Sequence, residues 1–141
     1  MLRKLRSTRS GFTLVEIMIV VAIIALLAAI AVPSFLRARK RSQATSTLET
    51  LRMVDAAKDQ YAIENGKTTT TSPGTADLAP YIKAGTPLYI SMLAGNPATD
   101  ALGAAIVINN IDTPPQVDAT TKTALADALG TNPDDFWGAY K

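Results

Sequence analysis

An apolar run from Phe12 to Val32 constrains this chain more than any other feature. The run is 21 residues long, and Thr13 and Glu16 are its only polar members. At about 1.5 Å per helical residue it would measure roughly 31 Å, which matches a hydrocarbon core of about 30 Å. The run therefore predicts one transmembrane helix. Four basic residues flank it on each side, so the positive-inside rule does not give its orientation.

Glu16 is the residue of this run that needs an explanation. An acidic side chain costs about 2.5 to 3.5 kcal/mol at the centre of a bilayer helix and less near its end. A buried charge is tolerated when it is paired, so Glu16 is predicted to find a cation. A glutamate that snorkels to the lipid headgroups is the alternative. It does not explain why a basic leader closed by Gly11 and an aromatic Phe12 precede the run.

The stretch from Gly11 to about Leu36 resembles the class III signal of type IV pilins and of the pseudopilins of type II secretion. The resemblance implies that a prepilin peptidase cuts between Gly11 and Phe12 and that the new amino group of Phe12 is N-methylated. It also implies that Glu16 faces the positively charged amino terminus of a neighbouring subunit. The partners implied are membrane lipids, an inner-membrane assembly platform and further copies of the chain in a helical filament.

A secretory signal peptide is the main rival interpretation of the same run. Ala29-Ile30-Ala31 has the A-x-A form of a signal-peptidase site, and cleavage there would release a soluble binding protein that begins at Val32. Glu16 interrupts the apolar region, the region is long, and Pro33 would follow the cut closely. These three features favour the transmembrane interpretation.

Small residues in the run indicate a helix that packs against copies of itself. Ala22, Ala25 and Ala29 are three and four residues apart and share one helical face, and small residues let helices approach closely in lipid. Pro33 stands where the resemblance places a helix-kinking proline. The residues predicted to act in assembly are therefore Phe12, Glu16, Ala22, Ala25, Ala29 and Pro33.

A basic cluster follows the run at Arg37, Arg39, Lys40 and Arg41. Headgroup anchoring is its most economical role, at about 1 kcal/mol for each charge near an anionic surface. Pairing with Glu49, Asp55 or Asp59 of neighbouring subunits is a second role, compatible with the first. DNA capture by a competence pilin is a third, and it lacks interleaved aromatic residues. The chain beyond Ser42 has six basic and eleven acidic residues, so the pI near 9.0 does not indicate a nucleic-acid partner.

Composition argues against an enzyme. The chain has no cysteine and no histidine, which removes the residues most used for nucleophilic catalysis, for proton transfer and for zinc. No cofactor is predicted. Calcium is the one metal that the resemblance raises, with Asp100, Asp112 and Asp118 as weak candidates. Each of these aspartates is more often a turn former or a helix cap.

The predicted fold is α+β, with a long N-terminal helix packed on a small antiparallel β-sheet head. Residues 1–11 form a cleaved leader, 12–33 the transmembrane and assembly helix, 34–65 its amphipathic continuation to the Asn65-Gly66 stop, and 66–141 the head. In the head we expect a helical turn over Asp77–Ile82, strands at Leu88–Met92 and Ala104–Ile108, and a helix over Ala119–Leu129 capped by Asp118. The aromatic tail Asp134–Tyr140 is expected to close the head.

These features predict a structural subunit of a type IV pilus-like filament or of a type II secretion pseudopilus. The resemblance places the precursor in a bacterial inner membrane, single-pass, with the head outside the cytoplasm. The small, cysteine-free head favours the pseudopilin type over the pilus type.

Overall fold

The structure is a computed structural model, and it describes residues 11–141. The predicted leader lies outside the described residues except for Gly11. Five α-helices are present in the described part: α1 (Leu14–Asn65), α2 (Thr75–Leu78), α3 (Pro87–Leu93), α4 (Ala119–Leu129) and α5 (Pro133–Trp137). Short 3₁₀ turns follow α2 and α5 at Ala79–Tyr81 and Gly138–Tyr140. The chain divides into two compact units, Met1–Leu36 and Arg37–Lys141, and each is described by itself.

The second half of α1 provides the core face of the Arg37–Lys141 unit. A stripe of residues on one side of this half is buried, because Ala44, Leu51 and Val54 are fully buried and Leu48 and Tyr61 pack against the same cluster. Helix α1 ends at Asn65, and Gly66 adopts a positive φ of 57°. Glycine takes this conformation without the steric cost that a Cβ would bring, which is why the helix stops there.

The core is built from apolar side chains of all parts of this unit. A Trp, a Leu and a Met from the later segments pack against the buried stripe of α1, and the cluster consists of Ala44, Leu51, Val54, Ala57, Leu78, Ala79, Ile82, Met92, Ala98, Ile106, Val117, Leu125 and Trp137. The C-terminal aromatic residues close it as predicted. Trp137 is buried, and its ring packs edge-on against that of Phe136, with 5.1 Å between the ring centroids. The backbone N–H of Val117 donates to the carbonyl of Tyr140 at 3.0 Å.

Lys58 is a buried cation in this core that the helical stripe did not reveal. Its Nζ donates to the carbonyl oxygen of Thr113. Burial lowers the pKa of Lys58, and the negative charges of Asp55, Asp59 and Asp112 oppose that effect. The three carboxylates therefore help keep the buried ammonium charged, because a buried charge is costly unless opposite charges compensate it.

The predicted antiparallel β-sheet is wrong. Between residues 11 and 141 the structure has no extended strand, and β-pairing is limited to two isolated antiparallel bridges, Thr99 with Ala105 and Val107 with Gln116. The head is instead a set of short helices and loops packed on α1.

Leu88–Met92, predicted as a strand, lies in α3. Apolar and aromatic residues favoured a strand here, but the local start signal favours a helix. The side-chain oxygen of Thr86 accepts a hydrogen bond from the backbone N–H of Tyr89 at 3.1 Å, and Pro87 occupies the first helical position. A threonine cap followed by proline is a helix start, and it overrides the weaker strand preference.

The strand predicted at Ala104–Ile108 is also wrong, because this segment has only one isolated bridge at Ala105 and one at Val107. Beside Thr99 the N–H of Ala104 donates to the Oδ1 of Asp100 instead of a carbonyl. Beside Gln116 the next partner would be Pro114, which has no N–H. The Asn109 side chain donates to the Pro114 carbonyl at 2.8 Å in place of the backbone. Side chains and prolines thus end both ladders before a sheet can form.

Asp100 joins three segments of the head through its buried carboxylate. Its Oδ1 accepts from the backbone N–H groups of Leu102 at 2.8 Å and Ala104 at 2.9 Å, and its Oδ2 accepts from the hydroxyl of Thr121 on α4. The neighbouring N–H of Ala101 donates to Thr47 of α1 at 3.3 Å. This turn therefore ties α4 and the extended segment to α1.

We predict that Asp100→Ala lowers the free energy of unfolding by at least about 2 kcal/mol, because buried donors left without an acceptor cost about 1 to 3 kcal/mol each. Asp100→Asn should cost less, since its carbonyl oxygen can still accept from both backbone groups. Urea unfolding of the detergent-solubilised chain, followed by the fluorescence of the single Trp137, measures the effect. Asp134→Ala, at an exposed site, is the control. Equal stability of the Asp100→Ala and Asp134→Ala proteins would contradict this role.

Candidate membrane and assembly segment

Helix α1 begins at Leu14, two residues after the predicted cleavage site, and Thr13 caps it. The backbone N–H of Glu16 donates to the Oγ1 of Thr13 at 3.2 Å, and the N–H of Ile17 donates to the Thr13 carbonyl at 3.3 Å. Thr13-x-x-Glu16 has the spacing of a capping box, a signal that the sequence interpretation missed. The cap places Glu16 in the first turn of the helix, where the helix dipole favours a negative charge.

Gly11 and Phe12 lie before the helix, and both are exposed. A Cβ added at Gly11 would meet no atom within 4 Å. The peptide bond between these two residues is therefore in non-helical, accessible backbone, as a peptidase substrate requires. A side chain larger than glycine is compatible with the described structure at this position.

The apolar side chains that follow are exposed along the whole of the Met1–Leu36 unit that the structure describes. Sixteen large ones between Phe12 and Leu36 are 48% to 80% exposed. Helix α1 is long and apolar enough to cross a membrane by length and composition, and its most apolar part is not buried. A surface of this kind requires lipid or other apolar chains as its environment.

The predicted packing residues lie in this exposed stretch. Ala22, Ala25 and Ala29 are all exposed, and α1 continues as a helix through Pro33. Proline has no N–H to donate to the carbonyl four residues earlier, so the carbonyl of Ala29 loses its helical partner. The Oγ of Ser34 donates to the carbonyl of Ile30 at 3.4 Å. The roles of these residues in assembly stay predictions.

One member of the basic cluster forms an ion pair with a residue of the head. The Nζ of Lys40 contacts both carboxylate oxygens of Asp127 on α4, at 2.8 and 3.0 Å. The hydrogen bonds from Lys40 lower the pKa of the Asp127 carboxyl below its ordinary value of 3.8. Arg37, Arg39 and Arg41 are exposed, and no salt bridge joins them to another residue of the range 11–141. Three arginines are thus available to lipid headgroups or to another subunit.

The three weak calcium candidates have structural partners in the head. Asp100 is in the turn described above, and the negative charge of Asp112 partly offsets the lowering of the Lys58 pKa by burial. Asp118 caps α4 as predicted, since its Oδ1 accepts from the N–H of Thr120 at 2.8 Å. In the part of the chain that the structure describes, no three acidic, histidine or cysteine side chains are grouped to hold a metal ion.

A family model and a relative both match this chain. The family described as "Prokaryotic N-terminal methylation motif" matches residues 6–32. The type IV major fimbrial protein FimA of Dichelobacter nodosus is 33% identical over 112 residues, which cover 74% of this chain and 68% of FimA. The chain belongs to the family of type IV pilins and type II secretion pseudopilins. The resemblance found in the sequence is thereby confirmed.

Other members of the pilin family match a shorter part of the chain. The type IV wide pilus major component PilA4 of Thermus thermophilus is 46% identical over 70 residues, 48% of this chain and 52% of PilA4. The type II secretion system core protein G of Pseudomonas aeruginosa is 36% identical over 69 residues, 49% of each chain. This pilin-family chain thus spans about half the length of these two relatives. No solved structure matches it.

For this pilin-family head we predict that the Lys40–Asp127 pair stabilises the fold only when Asp127 is ionised. Because the folded pKa of Asp127 is below its unfolded value of 3.8, the unfolded state binds more protons between the two values. The free energy of unfolding therefore rises with pH in that window. Urea midpoints of the natural chain and Lys40→Met should differ well above pH 3.8 and converge as the pH falls through the folded pKa.

Lys83→Met is the matched control for this measurement, because Lys83 is exposed and no salt bridge links it to residues 11–141. Its midpoint should follow that of the natural chain at every pH. A Lys40→Met difference that persists unchanged in acid would show that the aliphatic stem of Lys40, and not its charge, stabilises the head.

Proposed function

We propose that this chain is a structural, non-enzymatic subunit of a type IV pilus-like filament, stored as a membrane-anchored precursor. The observation that carries the proposal is the exposed apolar stretch Phe12–Leu36 with one carboxylate, Glu16, in its first helical turn. Fully burying one large apolar side chain is worth about 1.5 to 3 kcal/mol, so sixteen of them far outweigh the cost of one acid. The stretch therefore enters lipid first and the core of a filament afterwards.

Glu16 has a different role from the apolar side chains in this proposal. Lipid tails and packed helices are similarly apolar, so apolar burial alone does not favour one filament register over another. Cleavage between Gly11 and Phe12 would create an ammonium group at the start of a helix, where the helix dipole disfavours a positive charge. The carboxylate of Glu16 on a neighbouring subunit compensates that charge. A subunit at the wrong height leaves both charges unpaired in an apolar environment, which is strongly unfavourable.

The relatives support this function through what their names state. FimA and PilA4 are a major fimbrial protein and a pilus component, and both are structural. Protein G belongs to a type II secretion system, which supports a second candidate, a subunit of a pseudopilus. The FimA similarity extends over 112 residues and that of protein G over 69. The longer similarity, which covers 74% of this chain against 49% for protein G, favours the pilus over the pseudopilus that the small head suggested.

The precursor would meet a peptidase, an assembly platform and anionic lipids before it joins a filament. A prepilin peptidase would process the Gly11–Phe12 bond and methylate Phe12, and an inner-membrane platform would extract the subunit. Ala22, Ala25 and Ala29 would allow close helix packing, and Pro33 would leave the Ala29 carbonyl without its helical bond. Arg37, Arg39 and Arg41 would bind anionic headgroups before assembly. The head would lie outside the cytoplasm.

We expect Glu16→Ala and Glu16→Gln to abolish assembly while leaving the precursor in the membrane. Breaking a buried ion pair costs about 3 to 5 kcal/mol, so the yield of filament should fall about 100-fold or more. The chain is expressed in a bacterium that has pilus machinery but lacks its own major pilin. Sheared surface material and the remaining envelope are then quantified by immunoblot.

Asp135→Ala is the control, since Asp135 is an exposed acid of the head. If the natural chain is found in the sheared surface fraction, the result supports a pilus. If its polymer is confined to the envelope, the result supports a pseudopilus. A normal yield of filament from the Glu16→Ala chain would contradict the proposed role of this carboxylate in assembly. A mature chain beginning at Val32 would overturn the filament proposal in favour of a secreted protein.

Processing should depend on the size of the residue at position 11. We predict that Gly11→Ser is cleaved nearly as well as the natural chain and that Gly11→Val accumulates as precursor, because a peptidase site that holds glycine has little room for a branched side chain. Since a Cβ at Gly11 meets nothing within 4 Å, neither change disturbs the described structure. Intact mass of the membrane fraction separates precursor from a chain that begins at Phe12. Equal processing of both variants would refute cleavage at this bond.

A further inference from the structure

The end of α1 carries the one Asn-Gly step of this sequence, Asn65-Gly66. An asparagine that precedes glycine is prone to deamidation, because glycine has no side chain to shield its backbone nitrogen. Both residues are exposed, and a Cβ built on Gly66 would meet no atom within 4 Å. The end of the helix therefore has room for a ring that joins the Asn65 side chain to the Gly66 backbone.

Hydrogen bonds hold this step in its helical form. The Nδ2 of Asn65 donates to the carbonyl oxygen of Tyr61 at 3.0 Å and to the hydroxyl oxygen of Tyr81 at 3.1 Å. The backbone N–H of Lys67 donates to the carbonyl of Ala62 at 3.0 Å. These bonds direct the Asn65 amide back along the helix, toward Tyr61 and away from the next residue.

We propose that Asn65 is a site of spontaneous deamidation and that its hydrogen bond to Tyr81 controls the rate. In this reaction the backbone nitrogen of Gly66 gives up its proton and attacks the Cγ of Asn65. The new N–Cγ bond forms, the Cγ–Nδ2 bond breaks, and Nδ2 takes the proton and leaves as ammonia. Water then opens the cyclic imide at either carbonyl, which leaves aspartate or isoaspartate at this position. Water is the only co-reactant, and nothing is oxidised or reduced.

The barrier to this reaction comes from the head as well as from the helix. Cγ reaches the Gly66 nitrogen only when the last turn of α1 opens, and helix ends open at a low cost in free energy. Tyr81 ties this turn to another segment, because it belongs to the 3₁₀ turn Ala79–Tyr81. Its ring packs edge-on against that of Tyr61, with 6.1 Å between the ring centroids, and its hydroxyl donates to Glu64 at 2.9 Å. The packing of the head therefore determines how often Asn65 is released.

Deamidation weakens the same contacts that delay it. A carboxylate at position 65 can only accept hydrogen bonds, so the Tyr61 carbonyl and the Tyr81 oxygen both lose their donor. A negative charge at the C-terminal end of a helix is also disfavoured by the helix dipole. This charge lies next to Glu64 and competes with it for the hydroxyl proton of Tyr81. The modified chain therefore has a looser junction between α1 and the Ala79–Tyr81 turn.

Peptide mass spectrometry of the detergent-solubilised natural chain, sampled during incubation, tests the site. The peptide that contains Asn65-Gly66 should gain about 1 Da and become a substrate for an isoaspartate methyltransferase. Peptides with Asn109-Asn110 and Asn132-Pro133 are internal controls, because a bulkier residue or a proline, which has no N–H, follows the asparagine. If the Asn65-Gly66 peptide deamidates no faster than these two, the assignment of the site is wrong.

Tyr81→Phe tests the control of the rate, since it keeps the ring and removes only the hydroxyl. Deamidation of the folded chain should become about two- to ten-fold faster, the factor that corresponds to one net hydrogen bond. Tyr89→Phe, a change in α3, is the matched control and should leave the rate unchanged. In urea that unfolds the head, the natural chain and both variants should react at one rate. Equal rates for the folded natural and Tyr81→Phe chains would refute the role of Tyr81.

Asn65→Asp carries the product of the reaction and tests its effect on the fold. Its urea midpoint should lie below that of Asn110→Asp, which makes the same charge change at an exposed residue of the head. Hydrogen exchange at the backbone N–H of Lys67 should be faster than in the natural chain, because the last turn of α1 opens more often. Equal midpoints together with unchanged exchange at Lys67 would contradict the loosening. None of these measurements requires a filament, so their failure leaves the proposed function intact.

Discussion

The exposed apolar surface of the first part of α1 is the constraint on which the other features depend. Sixteen large apolar side chains between Phe12 and Leu36 lie outside any core of the described chain. Their transfer out of water is worth tens of kcal/mol at about 1.5 to 3 kcal/mol each, so it determines that the segment is never left in water. It does not determine where along a filament the segment stops. In the proposed function that choice falls to Glu16, whose charge contributes less energy but depends on exact position.

The Arg37–Lys141 unit is folded without disulfides and without a sheet, so its stability depends on packing against α1. Helix α1 offers one buried face, and the later segments cover it with loops and short helices. The loops are held by side chains that replace backbone partners. Asp100 supplies two acceptors to backbone N–H groups and one to Thr121, and Asn109 donates where Pro114 cannot pair.

Local signals in the sequence predicted the long elements well. The apolar run and the Asn65-Gly66 stop predicted α1, and the Asp118 cap predicted the start of α4. The strand predicted at Leu88–Met92 failed because side-chain preference was weighed above the Thr86-Pro87 start of α3, and the Thr13-x-x-Glu16 cap was overlooked in the same way. Contacts between distant residues had no local signal: Lys40 and Asp127 are 87 residues apart in the chain. Such a pair requires the fold before it can be found.

The way in which pairing ends around Ala104–Ile108 also affects how heads behave when they are crowded. A continuous strand at the border of a sheet presents a row of unpaired N–H and C=O groups that can template pairing with another chain. In this head the pairing ends after a single bridge on each side. Asp100 accepts from one backbone N–H, Asn109 donates to one backbone carbonyl, and proline has no N–H. Heads held side by side at very high local concentration therefore have no open strand edge in residues 66–141 from which amyloid-like association could start. The absence of a sheet in these residues therefore lowers the risk that neighbouring copies in a filament associate through strand pairing.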